Sequence, residues 1–235
     1  MTFAEANLHP AVSDAEFKRL LRVPADFTFT GVMAENAAWA RDWYAVHGRP
    51  WLRAAGAESC RVDGEVTTLA GRAWTSKELA RRFRSAQGAV VVAASAGPEA
   101  EAEAARCWAN DEPDRYYFME TYASAVVEAL LAEARARLCA WADQQGAVLL
   151  PHYSPGYHGW TVGDQASVFS LLAGASPGPL EVMASGMLRP KKSQLAVFAV
   201  APAGTAGAES ADLIPCKYCA YRTCEFRREP YALTS

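Results

Sequence analysis

The stretch from about Arg115 to Gln145 limits the fold more than any other part of the chain. Val127, Leu131, Ala134, Leu138 and Trp141 recur at spacings of four and three. That spacing puts them in one apolar stripe along a single long helix. Gly146 follows as a natural stop. A striped helix must bury its apolar side against another layer, and strand-like segments flank it. "GAVVVAAS", Gly88 to Ser95, reads as a buried strand of about seven residues. "PLEVMASGML" and "QLAVFAVAP" read as two strands joined by a turn at Arg189 to Ser193. Helices and strands in this order define an α+β class.

Shorter elements fill the rest. Asp14 to Arg22 is a helix candidate capped by Ser13 or Asp14. Ala34 to Val46 is another, with Trp39 and Trp43 four apart on one buried face and Tyr44 beside them, and Pro50 then interrupts. "TSKEL", Thr75 to Leu79, has capping-box form, Thr75 taking a backbone N–H and Glu78 reaching back, and a helix to about Ser85 follows. Glu99 to Ala109 is alanine-rich and helical, and its acidic start, Pro98 to Glu103, is a solvated helix end. Asp164 or Thr161 caps a run through Val168, Phe169, Leu171 and Leu172. Ala201 to Ser210 is low in complexity and reads as a linker or loop. The expected division is a mixed, partly helical extension over 1–70 packed on the main body, a main domain over 71–205, and a cysteine-containing tail over 206–235.

Composition excludes several classes of function. At 235 residues with 51% apolar and 21% charged side chains, the chain can bury a sizeable core. Its net charge of −3 and the lack of a basic stripe argue against a nucleic-acid partner. No apolar run approaches the roughly 20 residues of a spanning helix, and no charged-then-apolar leader opens the sequence. No membrane association and a cytoplasmic location are therefore expected. No glycine-rich strand-to-helix loop of the dinucleotide-binding kind is present.

Past Gly146 comes "PHYSPGYHGWTVGDQASVFSLL", in which His152, Tyr153, Tyr157, His158 and Trp160 surround one Ser154-Pro155-Gly156 turn. Two readings are open. Proline and glycine make ordinary turn chemistry and the aromatics cover the core. Alternatively, Gly156 admits a ligand close to the backbone and Tyr157 stacks on it or bonds to it. Glu128, at the border of the long helix's apolar stripe, would by itself be a surface residue.

The segment from Ser76 to Val200, most clearly from Pro155 to Phe198, resembles the activation (reactivation) domain of cobalamin-dependent methionine synthase. That family has an Arg-x-x-x-Gly-Tyr motif before a helix, matched here by His152 to Tyr157. It has a long preceding helix with a glutamate, matched by "ASAVVEALLAEA" with Glu128, and a following helix matched by "TVGDQASVFSLL". A final strand is matched by "SGMLRPKKSQLAVFAV". The resemblance implies a twisted, mainly antiparallel sheet with flanking helices. It also implies a site for S-adenosylmethionine (SAM), with Ser154 and Gly156 offering backbone contacts, Tyr157 at the adenosyl portion, Glu128 facing the ammonium or sulfonium charge, and Phe198 packing on the ligand. The chain departs from the pattern in three places: the family arginine falls on His152, the tyrosine of its last strand falls on Phe198, and its N-terminal aspartate has no match. Arginine grips a carboxylate with two parallel bonds, which histidine cannot do.

The resemblance further implies a SAM-binding module that supports reductive methylation, or reactivation, of a cobalamin. No general base is needed, because the nucleophile is the metal and the cofactor carries the chemistry. None of the histidines, His9, His47, His152 and His158, follows an aspartate by two residues, so the family's Asp-x-His-x-x-Gly corrinoid signature is absent. The cobalamin is therefore expected on a separate corrinoid protein or a split methionine synthase, with a flavodoxin-like or other electron donor. The tail sequence "CKYCAYRTC" places Cys216, Cys219 and Cys224 in a C-x2-C-x4-C array. Reduced thiols, an iron–sulfur cluster with an open site, or zinc with a fourth ligand from elsewhere are all compatible with it. Lys217, Arg222, Arg227 and Arg228 would lower thiol pKa values or form a docking patch. The alternative function is a metal- or cluster-bearing adaptor that docks on a corrinoid protein without SAM chemistry.

Overall fold

Val90, Val92 and Ala94 pack on one side of a central strand, and Ala89, Val91 and Ala93 on the other, all of them buried. A strand buried on both faces reads as a continuous apolar run rather than as an alternation. The structure is a computed structural model, and it describes residues 1–6, 8–172 and 178–205 together with residues 216, 224 and 227. In chain order the elements are β1 (Thr2–Ala6), α1 (Asp14–Leu20), α2 (Gly31–His47), β2 (Trp51–Ala57), β3 (Cys60–Asp63), β4 (Val66–Leu69) and β5 (Arg72–Thr75). They continue as α3 (Lys77–Phe83), β6 (Gly88–Ser95), α4 (Pro98–Ala109), α5 (Pro113–Gln144) and β7 (Ala147–Leu149). A 3-10 turn at Val162–Asp164 leads into α6 (Gln165–Phe169), and β8 (Glu181–Val182), β9 (Leu188–Arg189) and β10 (Ser193–Pro202) complete the set.

The main sheet has the order β1-β2-β6-β10-β7, and every neighbouring pair is antiparallel. Segment 1–70 thus supplies two of its five strands. One face carries Leu52, Ala54, Val92, Ala196 and Phe198 against α5, α2 and α1. The other carries Ala55, Val91, Val197 and Ala199 against α3, α6, Trp74 of the β3-β4-β5 meander and the segment after β7. The stripe of α5 holds as the spacing predicts. Val127, Leu131, Ala134 and Leu138 are buried, Trp141 packs partly against them, and the helix ends with Gly146 at φ +64°.

Four local expectations differ from the structure. The cap of α3 is Ser76, whose hydroxyl accepts from Leu79 N at 3.0 Å, and not Thr75. Glu78 turns along the helix to Arg81 and Arg82 instead of reaching back. The segment "PLEVMASGML" is not one strand paired with β10; it folds on itself as the short β8–β9 hairpin, and β10 pairs with β6 and β7. Ala201 and Pro202 close β10 rather than open a linker, because they pair with Val148 and Ala147.

Candidate functional site

β7 is three residues long, so only the far end of β10 is paired on that side. The chain then leaves the ladder and touches β10 once more. Tyr153 and Val197 exchange two backbone hydrogen bonds of 2.9 Å. Ser154 to Trp160 turn tightly from that anchor. Gly156 sits at φ +91° and donates to the Trp160 carbonyl at 2.9 Å, a conformation suited to glycine. Tyr157 N donates to the Ser154 carbonyl at 3.0 Å.

The other face of this turn is clamped by α3. Ser76 Oγ donates to the Gly159 carbonyl at 2.5 Å. The Arg82 guanidinium lies 4.3 Å from the centre of the Tyr153 ring, a cation–π contact in a dry setting. Tyr153 stacks on Trp160 with 6.0 Å between ring centres, and its hydroxyl donates to the His158 carbonyl. Burial pushes the Tyr153 phenol up to about 12, although the Arg82 charge works the other way. Burial works against ionised Glu78, but the hydrogen bonds and charges of Arg81 and Arg82 outweigh it and hold that carboxyl below its usual range.

Tyr157, partly buried, is thereby presented to a cavity of about 390 Å³. Its phenol oxygen accepts from Gln194 Nε2 at 2.9 Å and lies 3.3 Å from His152 Nε2. Burial pushes the phenol well above the ordinary tyrosine value, and the Glu128 charge adds to the effect, so the group stays protonated. Three walls border the space: Ser124, Val127 and Glu128 of α5; Ser154, Pro155 and Tyr157 of the turn; and Leu188 with the run from Lys191 to Leu195 at the start of β10. Gln165 and Cys224 close the remainder. The Ser154 hydroxyl is buried and meets no partner in hydrogen-bonding geometry, though it is near enough to act on the Tyr157 phenol.

Lys191 and Lys192 also border the cavity. Both pair with one carboxylate, Glu120, at 2.7 and 3.2 Å, and Lys192 Nζ donates to Ser124 Oγ at 2.9 Å. Burial would lower the Lys191 pKa, but the Glu120 hydrogen bond and charge outweigh it and raise the value.

The residues singled out in the sequence fall at different depths. Glu128, Ser154 and Tyr157 share the cavity wall, and Gly156 shapes the turn beside it. His152 stands behind Tyr157, its ring 5.4 Å from that of Phe198. Phe198 is 0% exposed in the core beneath α5 and supports the His152 ring rather than lining the cavity. Neither Cys216 nor Cys224 is in a disulfide, and Cys219 lies outside the described residues. Among the described residues no group of three His, Cys, Asp or Glu side chains is placed to hold a metal ion, and no helix is long and apolar enough to cross a membrane. Sequence reasoning missed Ser124, Gln165, Lys191, Lys192 and Gln194. Ser124 was within reach of it, since it stands one helical turn before Glu128 on the same face.

Fold and cavity together define an α+β domain built on an antiparallel sheet covered on both faces, with a small-molecule-sized cavity where the start of β10, paired with β6 on one side, borders a tight aromatic turn on the other. No family model matches the sequence, and no curated protein matches it. Among solved structures, the chain is similar to the MetH reactivation domain bound to AdoHcy, with 13% identity, a TM-score of 0.65, and coverage of 86% of this chain and 79% of that one. The fold is that of a reactivation domain, as the sequence resemblance implies.

Proposed function

We propose that this chain is a SAM-binding reactivation module that serves a cobalamin held on a separate corrinoid protein. The observation that carries this reading is the gathering of Glu128, Ser154 and Tyr157, each chosen from the sequence, in the wall of one 390 Å³ cavity. A fold neighbour that carries AdoHcy supports it. The donor set suits the ligand. The Glu128 carboxylate complements a sulfonium or ammonium cation. Val127, Leu188 and Leu195 offer apolar surface, and Tyr157 with Pro155 offers flat faces to a purine. The buried Ser154 hydroxyl has bonding capacity left for a ligand.

In this reading the corrinoid would supply the nucleophile, a flavodoxin-like donor one electron, and SAM the methyl group, leaving AdoHcy. This chain's own part is binding and orientation. Glu128 holds the cationic portion, the turn clamped by α3 fixes Tyr157, and the protonated phenol stays neutral beside Glu128. A cytoplasmic location belongs with this reading.

One observation favours the adaptor without SAM chemistry as a second reading: His152, standing where the relatives carry arginine, packs between Tyr157 and Phe198 instead of lining the cavity. The test combines the chain with SAM, a reductant and a corrinoid protein, and follows methylcobalamin by its absorbance. Formation that depends on this chain supports the module. Failure of SAM to bind at millimolar concentration in calorimetry would leave the adaptor.

A further inference from the structure

Glu120, Ser124 and Glu128 are spaced by four along α5 and so lie in one row, about 5–6 Å apart. Lys192 bridges the first two, with Nζ 2.9 Å from Ser124 Oγ and 3.2 Å from Glu120 Oε2. An ammonium carries three donors, and these two acceptors leave the third for a group inside the cavity that Lys192 borders. Lys191 takes the shorter contact to Glu120, 2.7 Å, so one carboxylate is shared by two ammonium groups. Glu101 accepts from the Lys191 backbone N–H at 2.9 Å, and so its hydrogen bond goes to main chain rather than to either ammonium. The Lys192 side chain is 18% exposed against 43% for Lys191, which marks Lys192 as the cation turned inward. One helical turn further on, Glu128 presents the opposite charge to the same space.

The geometry points to Lys192 as the carboxylate-binding residue of the cavity, paired with Glu128 for the ammonium, so that the site takes the zwitterionic amino-acid end of its ligand. This rests on the SAM reading above and adds the specificity element that His152 does not supply. Lys192 and Glu128 stand on either side of Ser124, and an α-amino acid carries its two charges on one carbon, so a single ligand end spans both. A partly buried lysine held by a hydroxyl and a shared carboxylate is pre-oriented, and its bond to a ligand carboxylate is charge-assisted.

The test titrates AdoHcy and 5′-methylthioadenosine, which lacks the amino-acid end, into the wild-type chain and the Lys192→Met and Lys192→Arg variants, with thermal unfolding measured in parallel. Lys192→Met is expected to weaken AdoHcy binding about tenfold or more, to leave methylthioadenosine within about threefold, and to be restored in large part by Lys192→Arg. An equal loss for both ligands, or no loss for either, would overturn the assignment while the SAM reading stands. Binding of methylthioadenosine as tight as AdoHcy in the wild type would also overturn it. Failure of the wild-type chain to bind either ligand would overturn the reading and the assignment together.

Discussion

The phenol oxygen of Tyr157 accepts a 2.9 Å hydrogen bond from the side-chain amide of Gln194. This one bond ties the aromatic turn to the start of β10 and fixes the ring that faces α5 across the cavity. Removing the hydroxyl by Tyr157→Phe leaves the Gln194 amide and the His152 ring nitrogen without that partner. A stability loss of about 1–2 kcal/mol is expected, read by urea unfolding, together with weaker SAM binding.

On the proposed reading Glu128 answers the positive charge of the ligand. It is partly exposed at the cavity wall, so Glu128→Gln should change stability by less than about 1 kcal/mol. SAM affinity should fall about tenfold, because the amide keeps the shape and loses the charge. Unchanged affinity in calorimetry would remove Glu128 from the site.

Phe198 should behave in the opposite way. It is fully buried beneath α5 and borders His152. Phe198→Ala is expected to cost about 3–5 kcal/mol in denaturant unfolding. Folded protein recovered at low temperature should still bind SAM.

The turn depends on a close approach to α3. A Cβ on Gly159 would stand 2.9 Å from Glu78 Cβ, and the glycine sits at φ +80°. Gly159→Ala should therefore destabilise the chain by about 1–3 kcal/mol. Hydrogen exchange should quicken in the turn from Ser154 to Trp160 before it quickens in β6.

Alkaline pH should loosen the same region. Burial first, with the Arg82 charge in opposition, leaves the Tyr153 phenol at about 12 against an ordinary value of 10.0. The unfolded chain therefore loses this proton first. The stability contributed is complete below about 10 and is lost as pH rises towards 12. The urea midpoint should fall across pH 10–11, and Tyr153→Phe should make that fall shallower. An identical slope in the variant would contradict this role for Tyr153.

The sequence was most legible where one period dominates. The α5 stripe and the β6 run each have one reading, and both stand. The caps and the β8–β9 segment were less legible because local rules left a choice there. Thr75 and Ser76 are adjacent capping residues, and the fold selects Ser76 because its hydroxyl also reaches the Gly159 carbonyl. Ser185-Gly186 could be read through as strand, yet Gly186 at φ +83° turns the chain back, with its N–H donating to the Met183 carbonyl at 2.8 Å. Within the site, Glu128, Ser154 and Tyr157 were reached through pattern and resemblance. Gln194 and Lys192 were not, because their contacts, Gln194 with Tyr157 and Lys192 with Ser124 and Glu120, join segments far apart in the chain that no local spacing relates. Phe198 was assigned to the ligand through the resemblance alone, which carries over a strand position and not its depth; here the ring is fully buried. The β10 face it occupies turns to α5.

In the proposed function SAM binds between α5, the aromatic turn and the start of β10. Titration of AdoHcy into isotope-labelled protein, with backbone amide resonances as the readout, checks that placement. Saturable shifts concentrated at Ser124 to Glu128, Ser154 to Tyr157 and Lys192 to Gln194 are the predicted result. Saturable shifts confined to other parts of the chain, or no shifts at millimolar AdoHcy, would contradict it.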